Sequence, residues 1–410
     1  MTTPNESKSH SMTRRGFLQR SAGAGAAVML AQAGAAQSTQ ANSKIELGII
    51  GCGGRGKWIA QGFMEHGGYQ ITALADYFLD ETAPVARQFG IPQSRCFSGL
   101  NGYRRLLESG VDAVALETPP YFFPDHVEAA VEAGCHVFLA KPVAVDVPGT
   151  IRVRDMGRKA GEDGLCFLVD FQMRNHPIIV EAVDRVHNGA LRHVTMLSSQ
   201  YSDEGFNDPP LEETIENRLR GLIWVNDTVL GGGFFVNAGI HALDAALWVA
   251  DRMPEQAMGR AARRRRDPHG DSNDTYSLTY TFADGMVLNH WGAHIRNTTG
   301  LVCRVEALGQ GAFLETNYTG VTTIRGDEES RLEGGDSGDQ YRDGAWRNIE
   351  AFHEAVTAGD TSNPTLEPSI NSNFAVLLGR MAALREEPIT WDQMMSDTEV
   401  LEANLSGLTM

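Results

Sequence analysis

Between Lys44 and Val169 short apolar runs alternate with helical stretches. Ile45–Ile50, Ile71–Ala75 and Ala113–Leu116 read as strands, with Lys57–His66 and a segment around Glu81–Phe89 as helices between them. A helix from about Phe123 to Ala133 then leads into a strand at His136–Leu139. Such alternation predicts a parallel, doubly wound sheet. From about Cys166 the period changes. Apolar and polar residues alternate along Thr275–Phe282 and Met286–Ile295, with turns at Ala283-Asp284-Gly285 and Leu308–Gly311. That texture predicts a second, α+β domain on a mostly antiparallel sheet. Asn371–Leu384 reads as a closing helix, and the Gly/Asp/Ser-rich stretch Gly326–Gly338 as a loop.

The N-terminus follows neither period. Arg14-Arg15 precedes Phe17-Leu18, and Ser21–Ala36 is small and weakly apolar, with Ala31-Gln32-Ala33 and Ala33-Gly34-Ala35 as cleavage sites. A charged region, a short apolar region and small residues come in signal-peptide order. The paired arginines point to the twin-arginine route, hence to a periplasmic protein. The stretch is too short and too rich in Gly and Ala for a membrane span, so no stable membrane insertion is expected after cleavage. A disordered tail is the alternative. The expected divisions are residues 1–40 (signal and linker), 41–165 (first domain), 166–370 (second domain) and 371–410 (closing helix and tail).

Composition narrows the partners. The 410 residues are 42% hydrophobic and 21% charged, with net charge −17, and without residues 1–36 the charge is about −20. Such a surface repels nucleic acid and anionic membrane. Arg263-Arg264-Arg265-Arg266 is the one dense basic run, expected to be a solvated edge strand guarded against aggregation. The cysteines (52, 96, 135, 166, 303) are an odd, scattered set, so free thiols are expected.

Gly51-x-Gly53-x-x-Gly56, with Gly54 and Arg55 between, follows an apolar strand and opens a helix. The first glycine permits the tight turn, the second lets backbone approach a pyrophosphate, and the third lets the helix pack closely. Asp76 lies about twenty residues further on, ending the next strand, where a carboxylate accepts hydrogen bonds from ribose hydroxyls. The Rossmann reading favours NAD over NADP, although Arg55 could meet a phosphate. Glu117-Thr118-Pro119-Pro120 with His126, and Ala140-Lys141-Pro142, fall at strand ends where such sheets place ligands. Lys141 beside an oxidised nicotinamide would have a lowered pKa and act in proton transfer. His126 reads as a helix-start or core histidine. Gln172, Arg174 and His176 follow the strand Cys166–Val169 and could hydrogen-bond a polyol. No metal site is expected: His290 and His294 lie on a strand, roughly 13 Å apart.

The phosphate loop, Thr118-Pro119-Pro120, His126, Lys141-Pro142, and Gly231-Gly232-Gly233 leading to Gly239-Ile240-His241-Ala242-Leu243-Asp244 together resemble the Gfo/Idh/MocA oxidoreductases over about residues 44–300. The resemblance implies a large open sheet in the second domain that makes a homo-oligomer, a carbohydrate or cyclitol substrate, and Lys141 and His241 as catalytic residues. Two positions depart from the family. Ala140 stands where a glutamate usually precedes Lys-Pro, and Asn237 stands where an aspartate usually precedes the histidine by four residues. Asn237 is expected to orient His241 from one helical turn away but not to stabilise its charged form, leaving His241 a weaker proton acceptor. Asp244 should face the same cleft one turn on. Lys141, Arg174, Asn237 and His241 are the expected substrate contacts. The leading reading is hydride transfer between a sugar or cyclitol and a tightly held nicotinamide cofactor. A glycosidase or lyase using transient oxidation of the sugar, and a non-catalytic sugar- and nucleotide-binding protein, are the alternatives.

Overall fold

The computed structural model describes residues 44–205, 214–265, 270–296 and 300–410. The Arg14-Arg15 signal and its cleavage sites lie outside the described residues, as does Arg266. Six parallel strands make the first sheet: β1 (Ile45–Ile50), β2 (Tyr69–Asp76), β3 (Cys96–Ser98), β4 (Ala113–Leu116), β5 (His136–Leu139) and β6 (Phe167–Val169), in the order β3-β2-β1-β4-β5-β6. The chain leaves β1 toward β2 and later returns on its other side as β4, with Ile50 opposite both Ala75 and Leu116. The carboxyl end of β1 is therefore the switch point where a doubly wound sheet opens a crevice. Helices α1 (Gly54–His66), α2 (Leu79–Phe89), α3 (Gly102–Glu108), α4 (Phe123–Glu132) and α5 (Val147–Glu162) connect the strands. The start of α5 shows the local logic. Asp146 caps it by accepting the Gly149 N–H at 2.7 Å, and Pro148 fills the first turn, where no N–H is required. Strand β6 pairs in parallel with β5, so the boundary expected at residue 165 falls one strand early.

The second sheet has nine strands in the order β14-β13-β12-β11-β7-β10-β9-β8-β15. They are β7 (Val194–Asp203), β8 (Gln256–Ala262), β9 (Thr275–Thr281), β10 (Val287–His294), β11 (Val302–Gly309), β12 (Phe313–Asn317), β13 (Val321–Arg325), β14 (Leu332–Asp336) and β15 (Ile389–Thr390). All neighbours are antiparallel except β7 and β10. Along β10 every second residue is buried, so one face of the sheet is core and the other open. Helices α6 (Pro177–His187), α7 (Ile240–Ala250) and α9 (Leu366–Arg385, the expected closing helix begun five residues earlier) pack on the core side. Between them in sequence, α8 (Gln340–Ala358) returns to the first sheet, where Phe352 stands 5.7 Å from Phe138. That helix joins the two halves into one body.

Two expectations fail here. The predicted loop Gly326–Gly338 contains β14, paired with β13. Its period-2 signal is hidden because a Cβ on Gly334 would stand 1.7 Å from the Thr322 carbonyl oxygen, so an apolar residue has no room there. Arg263, Arg264 and Arg265 do not form an edge strand either. Strand β8 ends at Ala262, and the Asp274 carboxylate accepts the N–H groups of Arg264 and Arg265, fixing the chain as it leaves the sheet.

Candidate active site

The phosphate loop is built as the glycines require. Gly51 has φ +97°, and a Cβ there would lie 2.6 Å from the Glu117 carbonyl carbon. A Cβ on Gly56 would come within 1.8 Å of the Gly51 oxygen, so nothing larger than glycine lets α1 approach β1. Gly53 and Gly54, by contrast, face open space. No side chain caps α1 and no acid sits in its first turn, which leaves its N–H groups and positive end directed at the crevice. Asp76, ending β2, accepts the Cys52 N–H at 2.7 Å and the Phe78 N–H at 2.9 Å, and burial raises its pKa. Thr118 and Pro119 line the same pocket. So does the segment Leu219–Leu222 from the far side of the molecule. A glycine cradle at a helix N-terminus with a carboxylate at the next strand end fits a dinucleotide.

Three neighbouring strand ends carry charge. Glu117 follows β4, Lys141 lies two residues past β5, and Asp170 follows β6. Their places are set by the ladder continuing one bond beyond each strand: Glu117 N–H donates to Ile50 at 2.8 Å, Ala140 N–H to Leu116 at 3.1 Å, and Asp170 N–H to Leu139 at 2.9 Å. Arg55, in the first turn of α1, reaches into this row. Its Nε stands 3.0 Å from Glu117 Oε2, its Nη2 donates to Asp170, and its Nη1 donates to the Tyr341 hydroxyl at 3.1 Å. The guanidinium also lies over the rings of Trp58 and Tyr341, at 5.4 and 5.6 Å. Arg55 is thus directed toward β4 and β6, across β1 from Asp76, and its charge is already matched by two carboxylates. Arg55 still lines the nucleotide pocket, but with its charge matched it is poorly placed to meet the phosphate that the sequence left open.

The two carboxylates differ. Asp170 is hydrogen-bonded by Gln172 at 3.0 Å and Asn348 at 2.6 Å besides Arg55. The Glu117 side chain is fully buried, yet neither oxygen has a hydrogen bond, its contact with Arg55 Nε lacking the alignment of one. Burial raises the Glu117 pKa to about 7, with Arg55 opposing. Lys141, joined to Pro142 by a cis peptide, donates from Nζ to the Asn237 backbone oxygen at 2.8 Å. Burial and then Arg55 lower its pKa to about 7. The lowered pKa expected of Lys141 has this origin.

The second-domain residues are only partly as expected. Phe235–Gly239 forms a π turn running into α7. One-turn stacking of Asn237 beneath His241 assumes α-helical spacing, which a π turn does not keep. Among the described residues no hydrogen bond joins the two side chains; Asn237 instead offers its carbonyl to Lys141. His241 is buried among Phe171, Tyr201 and Tyr318, and its pKa is held well below the ordinary value by burial, Lys141 and Arg55. Burial and these two cations, rather than the want of an aspartate, make it a weak proton acceptor. Arg174 does not offer its fork to a polyol: Nε and Nη2 grip Asp244 at 2.9–3.1 Å, and Ser372 adds a bond to the same carboxylate at 2.7 Å. Asp244 is therefore a structural anion. His176 caps α6, accepting the Ile178 N–H, and Gln172 bridges Asp170 to Tyr318. His126 is buried against Tyr103 with its pKa lowered to about 3, a core histidine as read. His290 and His294, both on β10, meet Ser199 and Asp203 respectively. Asp170, Asn348 and Tyr318 were not anticipated. A signal for Asp170 existed, since it directly follows an apolar strand, just as Asp76 ends one.

Residues 45–170 match the oxidoreductase family with an NAD-binding Rossmann fold, GFO/IDH/MocA, and residues 179–314 match the GFO/IDH/MocA C-terminal domain. This chain belongs to that family. It is 26% identical over 336 residues to D-xylose 1-dehydrogenase (NADP(+)) 2 of Haloferax volcanii, covering 79% of this chain and 93% of the relative. It is 23% identical to inositol 2-dehydrogenase of Rhizobium meliloti, covering 83% and 96%. Against another curated relative the match spans about half of that protein, 51%. The structure of an aldose-aldose oxidoreductase from Caulobacter crescentus superposes with TM-score 0.67 at 20% identity, over 85% of this chain and 99% of that one. The oxidoreductase thus shares both halves of its fold with the family.

Proposed function

We propose that this oxidoreductase moves hydride between a CH–OH group of a sugar or cyclitol and a nicotinamide nucleotide that it does not release between turnovers. The observation that carries the reading is Lys141: a buried lysine at the carboxyl edge of the sheet, pinned through Nζ at 2.8 Å, with its pKa brought to about 7. Such a lysine is neutral often enough to take a hydroxyl proton and charged often enough to return it. The nucleotide supplies hydride acceptance at its nicotinamide. The N–H groups at Gly53 and Gly54 would hold its pyrophosphate and Asp76 its ribose, and the Asp76 charge disfavours a 2′-phosphate, supporting NAD. Tyr201, Tyr318 and His241 shape an apolar wall that excludes water beside Lys141. Activities named for the relatives, on xylose and inositol, support a polyol substrate.

Retention is supported by two features. Leu219–Leu222 covers the pocket from the second half of the chain, and Arg14-Arg15 marks the protein for export to a compartment without a large nicotinamide pool. A cofactor lost there after one transfer would not be replaced, so the hydride returns to a second or the same substrate. The test is to denature protein purified from the periplasm, assay the nucleotide released, and screen the native protein on free sugars and glycosides. One nucleotide per chain, reduced by a sugar and reoxidised by a carbonyl partner, is expected. Empty protein that needs millimolar NAD⁺ for each turnover overturns retention, and cleavage of glycosides without hydride transfer to a second molecule assigns the lyase chemistry instead.

A further inference from the structure

With Asp76 on the adenosine ribose, the adenine attached to that ribose falls among Tyr77, Phe78, Leu100 and Tyr103, which line the pocket past β2 and β3. Along the rim of this pocket runs Leu401–Thr409, a segment with neither helix nor strand. Leu401, Ala403 and Leu405 are half-buried while Glu402, Asn404 and Ser406 are exposed, so alternate apolar side chains turn inward. Four hydrogen bonds fix it. The Leu401 N–H donates to the Asp146 carboxylate at 2.9 Å, and the Ala403 N–H to the Tyr121 hydroxyl at 3.3 Å. The Thr409 N–H donates to the Tyr77 hydroxyl at 3.2 Å, and the Thr409 oxygen accepts the Leu100 N–H at 2.9 Å. These anchors stand after β5, β4, β2 and β3 in turn, so the segment crosses the strand ends on which the crevice is built. Gly99 lies directly against it: its φ is +79°, and a Cβ there would come within 2.7 Å of the Met410 backbone oxygen.

We propose that Leu401–Thr409 is a strap that positions Tyr77 and Leu100 around the adenosine half of the bound nucleotide and slows its release; this rests on the nucleotide reading above. A ligand lodged between the loops after β2 and β3 leaves most easily when those loops part. One bond joins them directly, from the Gly99 N–H to the Tyr77 oxygen at 3.1 Å. Thr409 bridges the same two loops again, through the side chain of one and the peptide of the other. Parting the loops therefore requires the strap to lift. With its hydroxyl held, the Tyr77 ring is also kept from turning out of the wall, where it packs edge-on against Phe78 at 4.8 Å. Phe78 is the ring under Arg220, so the strap and Leu219–Leu222 act on one rim. The inward Leu401, Ala403 and Leu405 hold the strap down, which spares its backbone bonds from competition with water. Its four bonds go to Asp146, Tyr121, Tyr77 and Leu100, none of them in the charged row beside Lys141. The strap is thus a device for holding the nucleotide, separate from the hydride chemistry.

The experiment loads the full chain with labelled NAD and chases it with an excess of unlabelled NAD. A chain shortened after Val400 should release NAD about 10- to 100-fold faster. Tyr77→Phe keeps the ring and removes one strap bond, and Tyr121→Phe loosens the strap at a residue outside the pocket lining. Each should speed release about 3- to 10-fold, with the melting temperature of the nucleotide-free protein little changed. ADP-ribose keeps the adenosine half and lacks the nicotinamide, so its release should quicken by the same factors. In saturating NAD the shortened chain and Tyr121→Phe should oxidise the sugar with unaltered kcat and a raised KM for NAD, because the lysine end is untouched. Unchanged NAD release in both tyrosine variants overturns the proposal, and these two decide it alone if the shortened chain does not fold. Faster NAD release with ADP-ribose unaffected overturns it too, as does a kcat that falls along with the affinity, since that marks a general loosening. The two ideas fail separately. An unmutated protein that binds no NAD defeats the proposed function, whereas bound NAD whose release ignores the strap defeats only the strap.

Discussion

Lys141 owes its proposed chemistry to its surroundings, not to its type. A lysine in water titrates near 10.4, and here burial and the neighbouring guanidinium of Arg55 bring it to about 7. The sign for activity follows. Oxidation needs the neutral amine, so the rate should rise with pH up to about 7 and then level; reduction needs the ammonium and should fall over the same range. Lys141→Met should lower turnover about 10²–10⁴-fold while the protein still binds its nucleotide, because the glycine cradle and Asp76 are untouched. Normal turnover on the native substrate would show that Lys141 takes no part in proton transfer. The lysine was legible in the sequence because strand-end residues can be counted from an apolar run. The reach of Arg55 was not. A long side chain between two glycines reads as a phosphate contact, and only the folded row of Glu117 and Asp170 shows where its charge is matched.

At the scale of elements, the parallel strands were readable because each is short, apolar and bounded by turn residues. The second domain was less so. Alternation revealed β9 and β10, but β14 keeps a single buried apolar side chain and two glycines, and the π turn at Phe235–Gly239 leaves no pattern that differs from a helix. The segment after residue 214 was equally silent, yet it bears on cofactor retention. Arg220 stands 3.7 Å from the Phe78 ring centroid and 3.2 Å from Asp80, fastening Leu219–Leu222 to the far lip of the nucleotide pocket. The ion pair is solvent-exposed and screened, so each contact is modest. Losing both in Arg220→Ala should speed nucleotide release about 5- to 30-fold, measured by chasing labelled NAD from the protein with an excess of unlabelled NAD. An unchanged release rate would mean that the segment covers the pocket without holding its contents.

Among the described residues, the outer face of the second sheet carries exposed apolar side chains that the chain itself leaves uncovered. Met258, Trp291, Met196, Leu308 and Val321 are all exposed and, by strand register, share the outer face of the second sheet, with Met196 directly opposite Leu308. Exposed apolar side chains singly mean little, but a row of five on five strands of one sheet suits an interface. A second copy laid face to face is the simplest partner, since a two-fold axis lets one apolar patch cover itself. Trp291, 47% exposed near the centre of the row, is the natural anchor. Trp291→Arg puts like charges against each other across such an axis and should shift the protein in analytical sedimentation from an oligomer to a single chain. The site lies beyond the opposite, helix-covered face, where Tyr201 and His241 meet, so nucleotide content should survive the substitution. Loss of the nucleotide together with the oligomer would show that the interface also supports the cleft, and an unmutated protein that sediments as a single chain would leave the bare face to some other partner.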